Sequence, residues 1–182
     1  HIRDLDAKKI CSVKKLLVNL EISTNENIVK NALKIKPKFI CIVPENRNEI
    51  TTEGGLNLRK NKNKIKKIIS LFKKKKIRTS LFINPNIKDI FLSKEIGADC
   101  VELHTGYLSS LIRSKKNISK EYLKIKKSAI LASKIGIEVH AGHGLDYKST
   151  KILNRINEIK EFNIGHFIIG ESIFYGLPYV IK

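Results

Sequence analysis

The feature that most constrains this chain is the repeated change of its hydrophobic period. Short β-branched or continuously apolar runs occur at residues 16–22 (LLVNLEI), 39–43 (FICIV), 79–83 (TSLFI), 100–104 (CVELH), 137–140 (IEVH) and 166–169 (HFII). Between them the apolar spacing lengthens to that of a helix face. Ser23 and Glu26 read as a capping box that opens a helix through Leu33. Residues 58–76 carry Ile65, Ile68, Ile69 and Phe72 on one stripe, with lysines around the rest. Ile87, Ile90 and Phe91 mark a helix closed by Gly97, residues 119–135 form one ended by Gly136, and Ile152, Ile156 and Ile159 mark a fifth. Strict alternation of this kind, with several strands apolar on both faces, means a parallel sheet covered by helices.

Two architectures satisfy that pattern, an open doubly wound sheet and a (β/α)8 barrel. The first strand–helix junction has no glycine-rich dinucleotide loop, which argues against the first. Polar residues gather instead at the C-terminal ends of the strands: Glu21, Glu45, Asn84, Glu102 with His104, and His140 with His143. A barrel assembles its active site on that rim from all the strand ends together. The fold expected is α/β, a (β/α)8 TIM barrel with about six of its eight strands, as a single domain over residues 1–182. The chain contains no methionine and opens on His1, so two further βα units are expected before it.

Charge is a misleading guide here. The formal net charge is +19, with 36 basic against 17 acidic residues. Nucleic-acid sites concentrate arginine with aromatic residues. Here the excess is nearly all lysine, spread over polar helix faces and accompanied by isoleucine and asparagine, all three encoded by AT-rich codons. No nucleic-acid partner is expected. No apolar run approaches the ~18 residues of a membrane span, and no signal peptide is visible, so neither a membrane partner nor export is expected. The three cysteines, Cys11, Cys41 and Cys100, are odd in number and far apart, which reads as reduced thiols in a cytoplasmic protein without a cysteine-based metal site.

Chemistry concentrates in three stretches. Residues 43–56 (VPENRNEITTEGGL) form a long polar loop on the rim, read as a lid that closes over substrate. Residues 137–147 (IEVHAGHGLDY) begin as a strand and then place His140, Gly142, His143 and Gly144 at its end, where glycine N–H groups can cradle an anion. Asn163, Gly165 and His166 repeat the theme near the last strand, and barrels often bind phosphate after their final two strands.

Together NLE at residues 19–21, VPE with TTEGGL, ELHTG at 102–106, AGHGL at 141–145 and NIGHFIIG at 163–170 resemble the pyridoxine 5′-phosphate synthase family of vitamin B6 biosynthesis. The resemblance runs from end to end of the chain. It implies condensation of 3-amino-2-oxopropyl phosphate with 1-deoxy-D-xylulose 5-phosphate, with release of phosphate and water, by a cofactor-free barrel that assembles as a homo-octamer. Glu21 matches the family's proton acceptor and His143 its proton donor. Thr51 and His1 match positions that hold the deoxyxylulose phosphate, and Gly144, Gly165 and His166 match those that hold the amino-ketone phosphate. The family's second-strand catalytic histidine has no counterpart in these residues, so the chain alone is expected to be inactive. Asn46 stands where the family commonly carries a basic residue.

The competing reading is a metal-dependent hydrolase on the same barrel, with ligands drawn from His104, His140, His143 and His166. Against it, the spacing of His140 and His143 crosses a strand–loop junction and no aspartate joins the group.

Overall fold

Six parallel strands, hydrogen-bonded in chain order, form the inner wall of a computed structural model that describes residues 2–45 and 54–182. A helix α1 (Asp4–Ser12) precedes β1 (Asn19–Ile22), α2 (Glu26–Ile35) and β2 (Phe39–Ile42). Then come α3 (Leu58–Lys74), β3 (Arg78–Ile83), α4 (Ile87–Ile96) and β4 (Cys100–His104). Two helices, α5 (Gly106–Arg113) and α6 (Ser119–Lys134), lead to β5 (Glu138–Gly142). The chain finishes with α7 (Tyr147–Leu153), β6 (Ile159–Asn163), α8 (His166–Tyr175) and α9 (Leu177–Ile181).

Alternation along the strands sorts their side chains. Ile40 and Ile42, Leu81 and Ile83, Val101 and Leu103, and Val139 and Ala141 are fully buried on the helix side. The α3 stripe meets them as the spacing predicts, burying Leu58, Ile65, Ile68, Ile69 and Phe72 while its lysines face water. Each such side chain contributes about 1.5–3 kcal/mol of transfer free energy before ordering is subtracted. The lumen side is different: Cys41, Ser80, Glu102, His104 and His140 are buried there. The four inner strands, β2 to β5, are therefore largely covered on both faces, but only their helix-facing side is uniformly apolar.

One carboxylate reports the curvature. The Glu102 Oε2 atom accepts from Asn163 Nδ2 at 2.7 Å and from the Cys41 thiol at 3.6 Å. These side chains come from β4, β6 and β2. In a flat sheet β2 and β6 would stand ~19 Å apart, four strand spacings. They meet on one oxygen because the sheet curls. Filling of an interior layer by alternate strands is the layering of a (β/α)8 barrel, and the structure is six strands of such a barrel.

The sequence reading needs four corrections. Residues 166–169 are the first turn of α8, not a strand, and the sixth strand is Ile159–Asn163. A four-residue apolar run fits either period, and β6 escaped notice because its side chains are mostly exposed or half-buried. Ile159 accordingly opens that strand, and the fifth helix ends at Leu153. The cap of α2 is Asn25, whose side chain accepts from the Asn27 N–H, while the Ser23 hydroxyl accepts from the Asn25 N–H one step earlier. Helices α1, α5 and α9 are additions, each short. No helix among the described residues is long and apolar enough to cross a membrane.

Candidate active site

The C-terminal strand ends open into a cavity of about 930 Å³. Its wall is built from Asn19 and Glu21 of β1, Phe82 of β3, Glu102 of β4, His143 and Gly144 after β5, and Gly165 and His166 after β6. Side chains from the first and last strands thus line one space.

Glu102 is 4 % exposed, and its carboxyl is pushed up to about 7. Burial is the main cause, and the charges of Glu21 and Glu161 add to it; the hydrogen bonds from Asn163 and Cys41 oppose it. A carboxyl near 7 is poised to hold or release a proton at neutral pH. Room for it comes from Gly142: a Cβ there would lie against the Glu102 carboxylate. The glycine expected to bring backbone close to a ligand instead makes way for an acid.

His143 follows β5 with a φ of +77°, unusual for a residue with a side chain. The turn is pinned by the buried Thr105, whose hydroxyl lies 2.7 Å from the Gly142 carbonyl and 2.9 Å from that of His143. The imidazole stacks on that of His104 with centroids 4.7 Å apart, and Phe82 meets His104 edge-on at 5.3 Å. Gly106 permits the pairing, since a Cβ there would stand 2.7 Å from His143 Cδ2 and 2.9 Å from His104 Cε1. Burial lowers the His143 pKa, and the positive charges of His166 and Arg113 lower it further.

Glu21 is exposed to the same cavity, and partial desolvation by the cavity wall raises its carboxyl above the ordinary range. Beyond His143 lies the glycine-rich corner. Gly144 adopts a φ of +72°, and its carbonyl accepts from the Arg113 guanidinium at 3.1 Å. Gly165 caps the N-terminus of α8, with nothing within 4 Å of where a side chain would be. The N-terminal end of α8, His166 and Arg113 together make that corner electropositive.

The model of the pyridoxal phosphate biosynthesis protein PdxJ family matches residues 1–182. The chain belongs to the PdxJ family. Curated relatives bear the name pyridoxine 5′-phosphate synthase. One from Pelagibacter ubique (strain HTCC1062) is 65% identical over 181 residues, covering all of this chain and 76% of the relative. One from Aliarcobacter butzleri (strain RM4018) is 40% identical over 203 residues, covering all of this chain and 78% of the relative. A third, from Blochmanniella floridana, is 40% identical over 183 residues, covering all of this chain and 73% of the relative. These likenesses support an enzyme of vitamin B6 biosynthesis.

Against this PdxJ frame, five of the residues named from sequence, Glu21, His143, Gly144, Gly165 and His166, line the one cavity. His1 and Thr51 lie outside the described residues, as does most of the expected lid, including Asn46. At the lid's far end Gly55 fits closely on β3, where a Cβ would approach the Ile83 and Asn84 backbone to 2.5 Å. Sequence reasoning left Glu102 and His104 without roles and passed over Arg113. The ELHTG motif marked the first two, but only the curl of the sheet reveals their surroundings. His140 is not a strand-end residue; it lies within β5 and turns to Glu138 and Glu161. Among the described residues His104 and His143 meet ring face to ring face, and neither belongs to a group of side chains spaced to hold a metal.

Proposed function

We propose that this chain acts as a pyridoxine 5′-phosphate synthase, joining 3-amino-2-oxopropyl phosphate to 1-deoxy-D-xylulose 5-phosphate and releasing phosphate and water. The observation that carries the reading is the convergence of Glu21, Glu102 and His143 on a cavity whose far corner is electropositive. Forming an imine, eliminating water and closing a ring each move protons on and off carbon and oxygen. Glu21, its pKa raised by partial desolvation and its carboxylate open to the cavity, is the base that draws a proton from carbon. Glu102, near 7, holds a proton at one step and gives it up at another. His143 delivers a proton to a departing oxygen.

The depressed pKa of His143 fits this role once substrate is counted. His166 and Arg113 disfavour a positive charge on His143. A phosphate held at Gly144, Gly165 and His166 offsets those charges, so substrate binding restores the proton affinity of the acid. Thr51 and His1 hold the second phosphate in this reading. The transferase-type ring closure, a homo-octameric assembly and a cytoplasmic location are parts of the same proposal.

The test supplies both phosphates to the full chain as the cell makes it and follows pyridoxine 5′-phosphate and inorganic phosphate. Equimolar appearance of the two is expected, insensitive to chelators. A folded protein that forms no product, or one whose only activity is chelator-sensitive hydrolysis, overturns the proposal.

A further inference from the structure

The Glu102 carboxyl on β4 is held from two other strands, by Cys41 of β2 and Asn163 of β6. Asn163 ends its strand and reaches the acid across β5. Its direct partner in the parallel register is Gly142, one strand short of Glu102. A Cβ on Gly142 would collide with Glu102 Oε1 and stand 3.2 Å from Asn163 Cβ. Glycine at that position therefore opens a window through which an amide meets an acid two strands away.

Both contacts fall on the same oxygen. Asn163 Nδ2 donates to Oε2 at 2.7 Å, and the Cys41 thiol donates to it at 3.6 Å. Neither donor reaches Oε1, which sits above Gly142. A proton on Oε2 would turn an O–H against these donors and leave the amide N–H unmet in a buried place. A proton on Oε1 leaves both bonds intact. The other neighbours do not distinguish the two oxygens. Glu21 of β1 and Glu161 of β6 add negative charge that disfavours the bare carboxylate. Phe82, the register partner on β3, is apolar, and His140, the partner on β5, turns its ring to Glu138 and Glu161. The choice falls to Asn163 and Cys41.

We propose that Asn163, seconded by Cys41, is a positioning residue within the synthase reading given above, on which this role depends: by donating to Oε2 the two confine the working proton of Glu102 to Oε1. Glu102 borders the cavity, and Oε1 is the oxygen these donors leave to substrate. As the O–H bond on Oε1 breaks and the proton passes to substrate, negative charge spreads onto Oε2, where two donors are already in place. In the return step Oε1 takes the proton back. Asn163 stands two residues before Gly165, so the chain that frames the phosphate corner also carries the amide.

Difference infrared spectroscopy of the full chain across pH tests this, with Glu102→Gln assigning the carbonyl band of the acid. In the wild type Oε2 is the carbonyl oxygen and accepts two bonds, which keeps the band low in frequency. Asn163→Leu removes the shorter bond without adding charge. The band should rise in frequency, and the carboxyl should titrate about one pH unit higher because a donor favouring the charged form is gone. Turnover should fall at least about tenfold with KM changed less than about twofold. Cys41→Ala should shift the same readouts by less, and Cys41→Ser, which keeps a donor, should restore them. A side chain that merely packed would move the melting temperature and leave band and titration in place. Should the leucine variant not fold, Asn163→Asp has the same size without the donor, and should raise the titration further as two carboxyls share a proton. A folded Asn163 variant with an unmoved band, an unmoved titration or an unmoved kcat overturns the proposal. Cys41→Ser behaving like Cys41→Ala removes the thiol from it. A wild-type chain that makes no product sinks the synthase reading instead, and the infrared readouts still judge the hold on Glu102.

Discussion

Replacing Glu102 by glutamine isolates the energetic consequence of burying an acid. The carboxyl moves from an ordinary 4.5 to about 7 on folding. At 1.36 kcal/mol per pH unit this amounts to about 3 kcal/mol. The sign follows from proton counts: between those two values the native state keeps a proton that the unfolded chain has released, so stability falls as pH rises. Glutamine is neutral throughout, and its carbonyl can still accept from Asn163. The difference in unfolding free energy between variant and wild type should therefore shift by about 3 kcal/mol in the variant's favour between pH 4.5 and pH 7. Urea unfolding at several pH values measures it. Glu138 and Asp146, held low by their partners, titrate alike in both proteins and cancel. A difference that stays constant across the range would refute the burial argument, whatever the activity of the variant.

Other expectations concern the cavity directly. Glu21→Gln and His143→Asn should each lower turnover at least about a hundredfold with circular dichroism unchanged, asparagine being tolerant of positive φ. A near-wild-type rate from either variant removes that residue from the mechanism. Gly106→Ala drives a methyl into both imidazoles, and should cost about 1–3 kcal/mol in stability and slow turnover, read by thermal melts and steady-state kinetics. Arg113→Gln should raise KM for the amino-ketone phosphate about tenfold with little change in kcat. In the same variant the His143 titration, followed by NMR, should move upward because a repelling cation is gone.

Much of this architecture was legible in residue order. Leu58, Ile65, Ile68, Ile69 and Phe72 announced α3, and Gly97 and Gly136 announced helix ends, because periodicity and left-handed caps are local properties. The Ile159–Asn163 strand was not legible: Lys160 and Glu161, on opposite faces, are both exposed, so the burial that writes a pattern into sequence is weak there. The site divides in the same way. Glu21 and His143 stood out by motif. The protonation of Glu102 depends on Cys41 and Asn163, each 61 residues away, and no spacing rule reaches that far. Cys100 and Glu138 likewise become neighbours only through strand register.

The backbone at His143 has one more implication. Its conformation costs a residue with a Cβ at least about 1 kcal/mol and glycine nothing. The imidazole is thus held where the local chain would prefer the smallest residue. A His143→Gly protein should melt later than the natural one and be catalytically dead. If His143 is the acid proposed above, pressure for robustness alone would erase it, and this position trades durability for turnover.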